Sequence, residues 1–418
     1  MKIKTLTASN FRSISSLTFE CGRGINVIAG INGAGKTSVL SALEIALSWA
    51  KARIRQKNGQ GQYPEAADIK LGTQSSSIRV STFPPEEISW EISRSLPTFR
   101  GTRPKSDLTC LTEYADRKAE DYAANHGQTN LPMFVKYSVN RSLIDIPAHV
   151  HKKHLLDAMS LYSGRLDGGS NLRSFFEWFR EREDIEREER EERKSFEYQD
   201  LQLKAVRKAI STVLPEYGEL KTRRKSPIGF ELRKKNQVLR VEQLSDGEKC
   251  YLTLVGDIAR RLTICNPKLT NPLEGEGIVL IDELELHLHP KWQGESIDRL
   301  RIVFPNCQFF ITTHSAHIVQ NLRLNDEDKL LVLVDGMPFN VGASYGQPIE
   351  DLLLEVFGLQ SLRPEPVRKA LEQTWELLNK GISESDELTK SLETLKKLVG
   401  EQDPAFAKIN LQIALNRK

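Results

Sequence analysis

The chain has 418 residues, 39% hydrophobic and 28% charged, and its 59 Lys+Arg against 56 Asp+Glu give a formal charge of +3. That is enough apolar material for one large or two ordinary cores and too much for a disordered chain, while no window approaches the ~18 uncharged apolar residues of a membrane helix. Met1–Arg12 lacks the apolar core of a signal peptide, and the cysteines (Cys21, Cys110, Cys250, Cys265, Cys307) form no CxxC, so neither a zinc site nor a disulfide framework is suggested and a cytoplasmic globular protein is expected.

In chain order, Ile3, Leu6 and Phe11, then Leu17 and Phe19, predict two strands around a turn, followed by the apolar run Ile25, Val27, Ile28. A Gly-rich segment leads into a helix with Val39, Leu40, Leu43, Ile45 and Ala46 on helical spacing. Residues 53–76, rich in Gly, Gln and Ser, and 97–107 are expected to be loops, with short strands at Ser77–Phe83, Ile88–Ser93 and Pro132–Val139. From Asn171 to about Leu214 there is neither Pro nor Gly. Within that stretch Arg180–Lys194 carries six basic and eight acidic residues at i,i+3 and i,i+4 spacing, as on a solvated helix. Even 40 helical residues reach only about 60 Å, so this is a stub or short hairpin. Strands at Ile228–Leu232 and Val238–Val241, a helix from about Glu248 to Ile264, strands at Ile278–Ile281, Phe309–Thr312 and Leu330–Val334, and a helical tail from about Ile349 complete the expectation. The corresponding divisions are 1–165, 166–215 (charged helical insertion), 216–345 and 346–418.

The strongest local signal is Gly30-Ile31-Asn32-Gly33-Ala34-Gly35-Lys36-Thr37, which satisfies GxxxxGK[ST] between an apolar strand and an apolar-periodic helix. Glycines let backbone amides turn around a phosphate, the lysine reaches the β/γ oxygens, the threonine hydroxyl coordinates Mg²⁺, and the helix N-terminus faces the same anion. Ile278–Ile281 reads as a buried parallel strand ending in Asp282-Glu283. There one carboxylate can hold Mg²⁺ through water and the next can orient an attacking water. Between these motifs, Leu244-Ser245-Asp246-Gly247-Glu248-Lys249 opens a helix as an N-cap or an anion site. His314 follows the strand Phe309–Thr313, where a γ-phosphate sensor would be needed.

The order P-loop, insertion, LSxGE, apolar run plus DE, and histidine resembles ATP-binding-cassette ATPases of the RecF, SMC and Rad50 type. Asn10-Phe11-Arg12-Ser13 is similar to the N-F-R segment of that group, and Asp282–Pro290 (DELELHLHP) looks like the stand-alone bacterial AAA-21-like branch. The tail, from Tyr345-Gly346-Gln347 through Arg363-Pro364 to Asp403-Pro404, looks like the PtuA ATPases that accompany an HNH nuclease in Septu and retron-linked anti-phage systems.

The resemblance implies an α/β fold: an ABC-ATPase head with a mixed N-terminal sheet, a parallel P-loop core sheet, a helical insertion and a helical tail. It implies ATP and Mg²⁺ as cofactors. Arg12, Gly30, Asn32, Gly33, Ala34, Gly35, Lys36, Thr37 and Ser38 would hold the nucleotide, and Thr37 and Asp282 the metal. Lys36, Glu283 as water-orienting base and His314 as γ-phosphate sensor would be catalytic. Ser245, Gly247 and Glu248 would complete the site of a second subunit, so self-association belongs to the mechanism. Asp246 and Glu248 depart from LSGGQ and would put acidic side chains near the incoming γ-phosphate, which would slow hydrolysis or make ATP a structural ligand. The glutamine of the family's Q-loop has no identified counterpart; Asn140-Arg141 stands where it would be sought.

Other clusters read as ordinary. His149, His151, Lys152, Lys153 and His154 lack acidic or Cys companions. Phe175, Phe176, Trp178 and Phe179 suit anchoring of the charged helix. The basic stretches 51–57, 94–105 and 221–235 group charge that the near-neutral total conceals, and could meet DNA or RNA phosphates. The leading reading is an oligomeric ATPase scaffold or switch that controls a separate nuclease subunit, without nuclease activity of its own. A RecF-like DNA-binding repair ATPase is the alternative. A self-contained nuclease of the OLD type is disfavoured because Leu330–Val334 ends in Asp335-Gly336 and no DxD follows, and a transporter ATPase because the signature is not LSGGQ.

Overall fold

Alternation of buried and exposed side chains along Ile3–Phe11 (β1), Ile14–Glu20 (β2) and Ser75–Thr82 (β4) marks strands with one covered face. All six residues of Ile25–Gly30 (β3) are buried, as in a strand covered on both sides. The computed structural model describes residues 1–139, 157–164, 166, 172–235, 237–339 and 344–417. It resolves into two compact units, Met1–Ile349 and Glu350–Lys418.

In the first unit, β1, β2, β4 and Ser89–Ser95 (β5) form an antiparallel sheet in the order β2-β1-β4-β5. The second sheet joins β3 to Met133–Tyr137 (β6), Gly277–Ile281 (β10), Cys307–Thr313 (β11), Lys329–Val334 (β12) and Met337–Phe339 (β13), in the order β13-β12-β3-β11-β10-β6. Only β13 runs antiparallel to its neighbour. Every residue of β10 and β11 is buried, which accounts for the apolar runs Ile278–Ile281 and Phe309–Ile311. Lys36–Arg55 (α1) follows β3, is buried along most of its length, and takes the Trp90 indole N–H on its Ala46 carbonyl at 3.1 Å. Thr109–Ala124 (α2) packs on α1. The sequence reading did not place α2, because only Leu111, Tyr114 and Ala115 of this polar helix are buried.

The insertion is a helical hairpin. After the short Ala158–Leu161 (α3), Leu172–Glu192 (α4) and Leu201–Val213 (α5) pack on each other and on Asp246–Cys265 (α6). Phe175, Phe176 and Phe179 meet Phe230 of Gly229–Lys234 (β8) at ring-centroid distances of 5.3, 5.0 and 5.4 Å, so this aromatic cluster anchors the hairpin. The expectation of a solvated charged helix needs correction: Glu186 is only 4% exposed and is paired with Arg190 at 2.6 Å and Arg207 at 3.1 Å. Tyr217–Arg223 (β7), β8 and Gln237–Arg240 (β9) make a third, antiparallel sheet. β8 and β9 answer to the strands expected at Ile228–Leu232 and Val238–Val241, whereas the charged β7 was not expected. Pro290–Val303 (α7) and Ala316–Gln320 (α8) follow β10 and β11.

The second unit holds all but the first residue of Ile349–Glu355 (α9), with Glu365–Asn379 (α10), Asp386–Val399 (α11) and Ala405–Asn416 (α12). Its own core comprises Val367, Ala370, Leu378, Leu388, Leu395, Phe406 and Ile409. Arg363 clamps Asp403 with two 2.8 Å bonds. Among the described residues no helix is long and apolar enough to cross a membrane.

Candidate functional site

The carboxyl ends of β3, β10 and β11 converge, and in a parallel sheet that edge is where ligands bind. The loop after β3 can make its turn because Gly30 sits at φ +148°, where a Cβ would lie 2.5 Å from the Leu333 carbonyl oxygen. Gly35 at φ +100° caps α1 without a side-chain hydrogen bond, and no acidic residue occupies the helix's first turn. Uncapped first-turn amides at the positive end of a 20-residue helix suit an anion. Lys36 is buried, and its Nζ donates to the carbonyls of Gly30 at 2.9 Å and Ile31 at 2.8 Å, with His314 Nδ1 at 3.3 Å. Burial pushes its ammonium below the usual lysine range, against the opposing pull of Glu283, Glu285 and Asp282. A cleft of about 480 Å³ opens here, lined by Ser13, Asn32, Gly33, Gly35, Lys36, Thr37, Ser38, Glu283 and His314. Ala34 is buried beneath the loop, its carbonyl accepting from Gly336 N at 3.1 Å.

Asp282 lies at the end of β10, buried, its amide donating to the Tyr137 carbonyl at 2.9 Å. The Thr37 hydroxyl stands 3.3 Å from its carboxylate. Thr312 on β11 ties the motif together: its hydroxyl donates to Asp282 Oδ1 at 2.5 Å and accepts from Glu283 N at 2.8 Å. Glu283 is held at φ +49°, and its Oε1 lies 3.4 Å from His314 Nε2. The backbone amide of His314 donates to the Glu285 carboxylate. Thr37 and Asp282 offer hard oxygen ligands on one side of the cleft, which fits Mg²⁺, while the loop and Lys36 fit phosphate oxygens.

The remaining expected residues lie elsewhere. Arg12, at φ +51°, directs its guanidinium to Asp68 Oδ1 at 2.8 Å and to Ser41 of α1 at 2.9 Å, while the neighbouring Ser13 lines the cleft. Ser245 caps α6 and does not line the cleft of its own chain. Gly247 packs against the segment after Asp282, where an added Cβ would lie 2.2 Å from the His287 carbonyl oxygen. Glu248 is tied down within its own chain. It folds back in a capping box, accepting from Ser245 N at 2.8 Å and Ser245 Oγ at 2.9 Å, from the Tyr217 hydroxyl, and from Lys234 Nζ at 3.4 Å. Burial raises the Glu248 carboxyl, but these donors outweigh it and hold the group below its ordinary range. Asp246 is exposed beside Lys249 at 3.4 Å.

The basic stretch 221–235 is largely neutralised: Lys221 and Arg233 pair with Glu219, Arg223 with Glu231, and Arg224 with Asp184. Lys51 is buried; burial, then the charges of Arg261 and Arg55, lower its ammonium to about 8. Asn140, Arg141 and the cluster His149–His154 lie outside the described residues. Sequence reasoning missed Thr312, Glu285, Tyr217 and Lys234. A hydroxyl residue two places before His314, and the alternation of Glu283 with Glu285, were the available signals for the first two.

The family model described as "AAA domain, putative AbiEii toxin, Type IV TA system" matches residues 25–320. A protein of Escherichia coli described as "Retron Ec83 probable ATPase" is 27% identical over 99% of this chain and 86% of its own length. The Septu protein PtuA of Bacillus thuringiensis is 23% identical over 99% of this chain and 98% of its own. The SMC head domain from Thermotoga maritima aligns with a TM-score of 0.43 at 15% identity, over 82% of this chain and 100% of that domain. The match over most of the chain, on motifs that meet in one cleft, means that the chain belongs to this AAA-domain family and is an ABC-type ATPase similar to the Septu and retron ATPases.

Proposed function

We propose that the chain binds and hydrolyses ATP in a site completed by a second copy, and that this assembly is a switch controlling a separate nuclease in anti-phage defence. The observation that carries the reading is the division of parts. The P-loop, Glu283 and His314 line one cleft, with Asp282 buried behind Thr37 at 3.3 Å, whereas Ser245 and Gly247 stand at the start of α6, outside it.

Lys36 and the loop amides bind and orient the phosphates. Thr37 and Asp282 would hold Mg²⁺, which would supply neutralisation of the phosphate charge. Glu283, fixed by Thr312, accepts the proton of the attacking water, and His314 holds the γ end of the nucleotide. Ser245 of a second copy donates its hydroxyl across the interface. Similarity to the Septu and retron proteins along nearly the whole chain supports the defence context; an HNH-type nuclease as the controlled subunit is what the resemblance of the tail to the PtuA ATPases implies.

Glu283→Gln should retain ATP without turnover and convert monomer to closed dimer, read by light scattering with ATP and Mg²⁺. No change in mass with ATP refutes the shared site. Co-purification with neighbouring gene products, weighed by native mass spectrometry with and without ATP, should recover the nuclease. Metal-dependent DNA cleavage by the chain alone, abolished by one carboxylate substitution, refutes the scaffold role.

A further inference from the structure

The signature serine has an internal competitor for its proton. Ser245 Oγ donates to Glu248 Oε2 at 2.9 Å, while Glu248 N donates back to Ser245 Oγ at 3.3 Å. A serine hydroxyl has one proton to give, so donation across an interface requires release from Glu248. The other carboxylate oxygen, Oε1, accepts from the Tyr217 hydroxyl and lies 3.4 Å from Lys234 Nζ. Lys234 in turn donates to the Tyr217 hydroxyl at 2.8 Å, and its ammonium packs 4.7 Å from the centre of that ring. Glu216 adds a weaker pairing to Lys234 at 3.6 Å. Tyr217 opens β7 and Lys234 closes β8, paired in register. The third sheet therefore supplies all the charge compensation that the described residues offer at Oε1.

We infer that Tyr217 and Lys234 are positioning residues for the composite ATP site: by compensating Glu248 at Oε1 they weaken its hold on the Ser245 hydroxyl at Oε2 and so ease release of that hydroxyl to the γ-phosphate bound by a second copy. The acidic residue in the signature is thus compensated within the chain, and a ligand or subunit that displaced the β7–β8 edge would switch the signature off. The inference rests on the shared-site reading proposed above.

The test uses the full-length chain in the Glu283→Gln background, with ATP-dependent dimerisation followed by light scattering as ATP is titrated. Lys234→Met keeps the aliphatic stem and removes the charge; it should raise the ATP concentration at half-dimerisation about 3- to 5-fold, the upper part of the range of a partly exposed ion pair. Adding Glu248→Gln removes the charge that Lys234 compensates, so Lys234→Met/Glu248→Gln should return to within about twofold of the parent. Tyr217→Phe, which retains the ring, should shift the midpoint in the same direction as Lys234→Met. A Lys234→Met midpoint equal to the parent's refutes the coupling. So does a shift that Glu248→Gln fails to reverse, since a merely structural lysine would give that result. A parent that stays monomeric with ATP refutes the shared site itself, and the coupling falls with it.

Discussion

Thr312→Val replaces a hydroxyl with a methyl of nearly the same shape at a fully buried position. It removes two bonds at once: the 2.5 Å donation to Asp282 and the 2.8 Å acceptance from the Glu283 amide. A hydrogen bond to a charged group contributes about 1.5–3 kcal/mol, and a stranded buried amide costs about 1–3 kcal/mol. The Glu283 amide is only partly buried, so the lower ends apply and the loss should be about 2–4 kcal/mol. Thr312→Ser keeps both bonds and removes one methyl, a loss of about 1 kcal/mol. Denaturant unfolding followed by tryptophan fluorescence, which reports the buried Trp49, Trp90 and Trp178, should place the valine variant below the serine variant by about 1–3 kcal/mol. ATP turnover should fall about 10- to 100-fold in the valine variant, because the metal-side carboxylate and the proton acceptor lose their common anchor. Equal stability and equal turnover of the two variants would refute the assignment of Thr312 as that anchor.

Lys36→Ala should abolish ATP binding measured by calorimetry; unchanged affinity overturns the placement of the phosphate site. Gly247→Ala forces a Cβ to 2.2 Å from the His287 carbonyl oxygen, so the start of α6 or the loop after β10 must shift. Stability should fall by about 1–3 kcal/mol, and ATP-driven dimerisation should weaken at least about tenfold, checked by unfolding and light scattering. In the second unit, the bonds from Arg363, then that from the Ala405 amide, hold the Asp403 carboxyl below its ordinary range. Its contribution is therefore complete at neutral pH and is lost as pH falls through its lowered folded value. Asp403→Asn should speed amide exchange in α10–α12 at pH 7 and make little difference once Asp403 of the parent is protonated in both the folded and the unfolded chain; a difference independent of pH refutes the linkage.

Elements with a strong period or a motif were legible before any coordinates. The apolar run of β10 reads as a buried parallel strand, the order of motifs implies the parallel sheet around it, and Lys36, Asp282 and His314 mark the strand ends that meet. What escaped depends on distant partners. Thr312 means nothing until β11 lies beside β10, and Tyr217 and Lys234 matter only because an irregular hairpin brings them to Glu248. The charged helix misled because alternating Glu and Arg look alike on a wet surface and on a hairpin flank. Only the phenylalanines at its start, which found Phe230, separated the two cases. The basic stretch 221–235 likewise concealed its acidic partners, Glu219 and Glu231 in the same sheet and Asp184 in another element.

The strand that carries the P-loop has no early neighbours. β3 is flanked by β11 and β12, Gln308 bonds Ile3 across a separation of 305 residues, and Lys36 meets His314 across 278. At about 5–20 residues per second, a ribosome needs tens of seconds to make the intervening chain. Until then the P-loop strand is unpaired, and neither Glu283 nor His314 exists for most of the interval. Under the proposed roles nascent chains are silent by construction: the phosphate loop is made first and Glu283 and His314 last, so turnover begins only on a polypeptide that has already committed to its sheet.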